Sequence, residues 1–120
     1  MAGTVVIAEV THTSAKKVTF TWTCSAGGAA DGTTTKAFDG KVVGFTTDPD
    51  DTDAPTDNYD VVVSDIDGHD VLLGAGANRD TLDTEHVVGA SLSAVAGSKL
   101  TLAVTNAGNV KKGVVIVWVR

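Results

Sequence analysis

The chain has 120 residues, of which 42% are hydrophobic and 20% charged, a balance that fits one globular domain with its own core and lies far from that of a disordered chain. Nine Lys and Arg against fifteen Asp and Glu leave a net charge of −6, which argues against direct nucleic-acid binding, because a phosphate backbone demands a basic face. A single cysteine, Cys24, excludes an internal disulfide and a thiolate zinc cage.

The opening "MAGTVVIAEV" has no basic n-region and too short an apolar run for a secretory signal, and no stretch approaches the roughly 20 apolar residues of a membrane helix. The expectation is a product made in the host cytoplasm, with no membrane partner. Within this segment "VVIAEV" is apolar on both faces apart from Glu9. In "VTFTWTC", Val18, Phe20, Trp22 and Cys24 share one face of an extended chain while three threonines share the other, the period of a half-buried strand. Cys24 therefore reads as a small core hydrophobe.

Asp39-Gly40, between "TTTKAF" and "KVVGFTT", and Asp67-Gly68, between "YDVVVSD" and "HDVLL", are dipeptides suited to type I′ turns and predict two hairpins. "DPDDTDAPTDN" predicts a long acidic surface loop pinned by Pro49 and Pro55. "TEHVVG" fits a short strand and "ASLSAV" a single helical turn. "LTLAVT" alternates again, and "NAGNVKKG" predicts a third hairpin leading into "VVIVWVR". That last run is apolar on both faces, with Val115, Val117 and Val119 on one and Val114, Ile116 and Trp118 on the other, so one face is expected to be covered by a loop or a subunit. Trp118, like Trp22, is assigned to a buried face. The pattern predicts an all-β protein over residues 1–120, a single antiparallel β-sandwich, jelly-roll or Ig-like, of eight to nine short strands.

No catalytic constellation stands out. "GAGANRD" has Arg79 where a dinucleotide fingerprint needs its third glycine and lacks the Gly-Lys-Ser/Thr of a P-loop, so no nucleotide cofactor is expected. "VSDIDGHD" fails as an EF-hand loop because Val63 stands at the first ligand position. Asp48, Asp50, Asp51 and Asp53 are clustered acids that read as a solvated loop, with calcium the alternative, and no metal site is assigned. His12, His69 and His86 have no zinc spacing, and Asp83, Glu85 and His86 read as a polar edge or contact surface. Lys16-Lys17, Lys111-Lys112 and Arg120 are too short as basic spots to follow a nucleic acid, and suit water or an acidic protein.

The succession "APTDNYDVVVSDIDG", "GAGANRDTLDTE" and "KLTLAVTNAGNVKKGVVIVWVR" resembles a family of small virion structural proteins of tailed bacteriophages, over Val18 to Arg120. The resemblance implies a non-enzymatic capsid decoration or cement protein on the outer capsid surface, bound to the major capsid protein and commonly a homotrimer. The residues expected at such interfaces are Val6, Val115, Val117, Val119, Arg79, Asp83, Glu85, Lys111 and Lys112. A tail, baseplate or head–tail connector module is the alternative and would assemble as a larger ring. A carbohydrate-binding module is the third, disfavoured by an aromatic content of 5%.

Overall fold

The computed structural model describes residues 3–11 and 14–120, so His12 lies outside the described residues. Nine strands run through them: β1 (Thr4–Thr11), β2 (Lys16–Thr23), β3 (Ala30–Thr33), β4 (Phe38–Pro49), β5 (Asp60–Ser64), β6 (Glu85–Val88), β7 (Ala94–Ser98), β8 (Thr101–Thr105) and β9 (Lys112–Val119). A single 3-10 turn at Gly89–Ser91 is the helical turn expected nearby. The strands form two antiparallel sheets packed as a sandwich. The larger has the order β1-β2-β9-β4-β6, with β7 also paired to β4, and the smaller has the order β3-β8-β5.

The core is made by the inward residues of both layers. Val18, Phe20 and Trp22 of β2, Val115, Val117 and Val119 of β9 and Val42 and Phe45 of β4 meet Val61 and Val63 of β5 and Leu102 and Val104 of β8, all almost fully buried. Each such side chain contributes about 1.5–3 kcal/mol by leaving water. Trp22 and Tyr59 meet at a tilt of 49° with ring centroids 5.7 Å apart. The alternation read in "VTFTWTC" and "LTLAVT" is the alternation observed, because in both strands the outward partners are Thr or Ala and only one face is hydrophobic.

Three turn assignments change. Asp39-Gly40 lies inside β4, where the register with β7 shifts between Phe38 and Gly40. Gly40 has φ +126° and packs so closely on the Arg120 carbonyl that a Cβ would overlap it, so this Asp-Gly makes a bulge rather than a hairpin. Asp67-Gly68 does turn the chain: Gly68 has φ +82°, Asp65 and His69 pair through N–H···O at 3.0 Å, and Ser64 bridges Asp70. The returning "HDVLL" is not a strand, however. Val71 and Leu72 enter the core and the chain then coils through successive turns with Leu73 at φ 51° and Gly74 at φ +82°. "NAGNVKKG" is a crossover between layers, since β8 belongs to the smaller sheet and β9 to the larger.

Candidate functional site

The segment from Gly74 to His86 is tied down from within. Arg79, 7% exposed, extends under the larger sheet: its Nε donates to Thr47 Oγ1 at 3.1 Å, its Nη1 to the Ala75 carbonyl at 2.6 Å, and its Nη2 meets Glu85 Oε1 at 3.2 Å. The guanidinium carbon sits 5.3 Å from the centre of the Phe45 ring. Glu85 Oε1 also accepts the Asp80 N–H at 2.8 Å, and the Arg79 backbone exchanges hydrogen bonds with Tyr59 and Asn58. Gly76 is required because a Cβ there would overlap the Val61 carbonyl, whose own N–H donates to Gly76 O at 2.8 Å. Arg79 and Glu85 are thus an internal clamp: the Arg79 guanidinium is used within the chain, whereas the Glu85 side chain remains 39% exposed.

The interface expectation for Val115, Val117 and Val119 is corrected. All three are fully buried between the sheets, so none is available to a subunit. The outward face of β9 is carried by Val114, Ile116 and Trp118, each half-buried, which also moves Trp118 out of the core position assigned to it. The parity of the flanking charges carried this information. Lys112 and Arg120, which must reach water, are an even number of residues from Trp118 and therefore lie on its face of the strand. Of the remaining interface candidates, Val6 is 72% exposed on β1, Asp83 is exposed beside an Asp80 carboxylate that accepts the Leu82 and Asp83 N–H groups, and Lys112 pairs with Asp53 at 3.7 Å. Lys111 is half-buried, and its N–H points at Cys24 Sγ at 3.0 Å.

Register now assembles a surface that sequence alone left scattered. Across the outer face of the larger sheet, Val10, Lys17, Trp118, Gly44 and Val88 form one row, and Ala8, Thr19, Ile116, Thr46 and His86 the next. A third row runs Val6, Thr21, Val114 and Asp48. Lys17 is the one charge in the first two rows, and neither holds an acid. At the middle, Trp118 and His86 meet edge to face with centroids 5.5 Å apart, and His86 Nδ1 lies 2.7 Å from Thr46 Oγ1. Gly44 makes room for them: a Cβ there would stand 3.1 Å from His86 Cε1 and 3.2 Å from Trp118 Cε3. Val43 and Val88 extend the exposed apolar area.

The acidic loop is used by its own backbone. Asp50 accepts the Thr52 and Asp53 N–H groups at 3.1 and 2.8 Å, and these bonds hold its carboxyl below the ordinary carboxylate range. Asp48 accepts the Thr84 hydroxyl at 2.9 Å. Among the described residues no three His, Cys, Asp or Glu side chains converge in a way that would hold a metal ion. Cys24 is buried, with its Sγ 3.2 Å from the Gly108 carbonyl. Among the described residues, no helix is long and apolar enough to cross a membrane.

No family model matches the chain, and no curated protein does. Among solved structures the chain is similar to CBM86, a low-affinity xylan-binding module from the gut symbiont Roseburia intestinalis, at 10% identity and a TM-score of 0.39, over 99% of this chain and 89% of that one.

Proposed function

We propose that this chain is a non-enzymatic structural protein of a tailed-phage virion, which decorates the outer capsid surface by docking on the major capsid protein through the outer face of its larger sheet. The observation that carries this reading is the composition of that face. In a chain with fifteen acids, two adjacent rows spanning five strands contain none, and they display Val10, Ile116, Trp118 and Val88 among threonines. Depletion of charge around an aromatic centre is the composition of an interface core, whereas water-facing sheets carry mixed charge. The sequence resemblance supplies the virion as the setting, and the net negative charge keeps the protein off packaged DNA.

Co-sedimentation with undecorated capsids of the parent phage tests it. Wild-type protein is expected to pellet with the shells, and Val88→Asp and Trp118→Ala are expected to remain in the supernatant. Both positions lie on the outer face, so the variants should keep their fold. Full binding by both would remove this face from the mechanism.

A second reading draws on one feature, the position of Trp118. Aromatic residues are scarce in the chain, yet Trp118 is half-exposed beside His86 and Thr46. An aromatic ring flanked by a few hydrogen-bonding groups is the usual construction of a small-ligand surface. A glycan array on which binding disappears with Trp118→Ala would establish this reading, and a blank array would eliminate it.

A further inference from the structure

The free edge of the larger sheet differs from every other edge of the sandwich. β1 is eight residues long, runs in continuous register with β2 and contains no proline, lysine or bulge. Beyond Gly3, whose N–H reaches the Ala29 carbonyl, its backbone is hydrogen-bonded to β2 alone among the described residues. The other edges are short or covered. β3 and β6 have four residues each, β7 has five and pairs with β4 through a register shift, and β5 is flanked by the coiled segment through Val71 N–H to Val63 O and Val61 N–H to Gly76 O, both 2.8 Å. Long uncovered edges are normally blunted by charge, proline or a bulge, because their unpaired N–H and C=O groups recruit another strand.

We infer that β1 pairs antiparallel with β1 of a second copy of this chain, about a twofold axis at Ala8, to make one sheet continuous across two protomers. The side chains fit that occupant. With Ala8 opposite the partner's Ala8, Val6 faces the partner's Val10, so the two exposed valines of the strand, 72% and 45% accessible, cover each other twice over. Charge points the same way. Two chains of net charge −6 repel, and contact is least costly where acids are absent. The single acid of β1, Glu9, is turned away into hydrogen bonds with Thr35 N–H and Oγ1 and Lys36 N–H at 2.6–3.1 Å. The result is a symmetric pair in place of the threefold assembly that the resemblance implies.

Sedimentation velocity of the purified protein across a concentration series tests the pairing without any capsid, so its outcome is separate from the docking proposal. Wild type is expected to pass from monomer to dimer, and Val6→Lys or Val10→Glu to weaken dimerisation about tenfold. Combining Val6→Lys with Val10→Glu is expected to restore it, because the twofold register sets each new ammonium opposite a new carboxylate of the partner. Ala8→Cys should give an oxidised covalent dimer, since paired strands bring these positions within disulfide reach. A monomer at all concentrations, a trimer indifferent to these changes, a double variant no better than the singles, or an Ala8→Cys chain that fails to cross-link would each overturn the pairing.

Discussion

The Arg79 guanidinium and the Glu85 carboxylate meet at 3.2 Å, but the two ends of the pair are unequally shielded: the arginine side chain is 8% exposed and the glutamate 39%. Loss of either partner should therefore differ in cost. Arg79→Ala removes three hydrogen-bonded contacts and the packing on Phe45, and should lower stability by about 3 kcal/mol, near the low end for breaking a buried pair. Glu85→Gln keeps an acceptor for Asp80 N–H and leaves Thr47 and Ala75 on the guanidinium, so about 1–2 kcal/mol is expected. Arg79→Lys should resemble the alanine variant more than wild type, since an ammonium lacks the planar fork. Denaturant midpoints of the three variants check this order, and equal losses would contradict it.

Gly44 sets the spacing of Trp118 and His86. Gly44→Ala forces one ring to yield by a few tenths of an ångström, with an expected cost of about 1 kcal/mol and a shifted Trp118 emission, measured in a Trp22→Phe background. Unchanged emission would mean that the rings do not lean on this floor.

The single tyrosine offers an alkaline test. Burial pushes the Tyr59 phenol up to about 12, against the opposing pull of the nearby Thr47 hydroxyl and Arg79 guanidinium. A folded value above the ordinary value of about 10 means that the unfolded chain gives up this proton first. Stability contributed by Tyr59 is thus intact below about pH 10 and disappears as the pH climbs through about 12. Tyrosinate absorbance should rise together with loss of the β-sheet circular dichroism signal, and Tyr59→Phe should shift the alkaline unfolding upward. Ionisation of Tyr59 near pH 10 in the folded protein would refute the argument.

At the acid end the sign reverses. Burial of Glu9 works against its charge, but the bonds from Thr35 and Lys36 outweigh it and leave the carboxyl below its ordinary value of 4.5. Asp80 is lowered in the same direction by the Asp83 and Leu82 N–H groups. A depressed carboxyl stabilises the fold above its unfolded value, and that contribution is lost as pH falls below about 4.5 through the folded value. Urea midpoints should decline over that window, less steeply in Glu9→Gln.

What was legible in the chain follows from how many faces a strand buries. β2 and β8 set apolar residues against threonines, so their inward faces could be read directly. β9 is apolar on both faces because it lies at the centre of a sheet whose outer surface is itself apolar, and periodicity alone assigns it no phase. The Trp118–His86 contact joins residues 32 positions apart that meet only because β4 pairs with both β9 and β6. No local pattern encodes such a relationship. Asp39-Gly40 misled for a related reason: positive φ is demanded equally by a hairpin turn and by a bulge against the Arg120 carbonyl.

The place of β9 also orders events during synthesis. It follows the other eight strands in the chain and sits between β2 and β4, so residues 16–23 and 42–49 have no neighbour on that side until 112–119 arrive. Only the β1–β2 hairpin and the pairing of β4 with β6 and β7 are open to the larger sheet before β9 emerges from the ribosome. Folding should accordingly be slow and all-or-none, completed by one insertion event, and a chain halted before Gly113 should be a substrate for chaperones or proteases rather than a smaller version of the same protein.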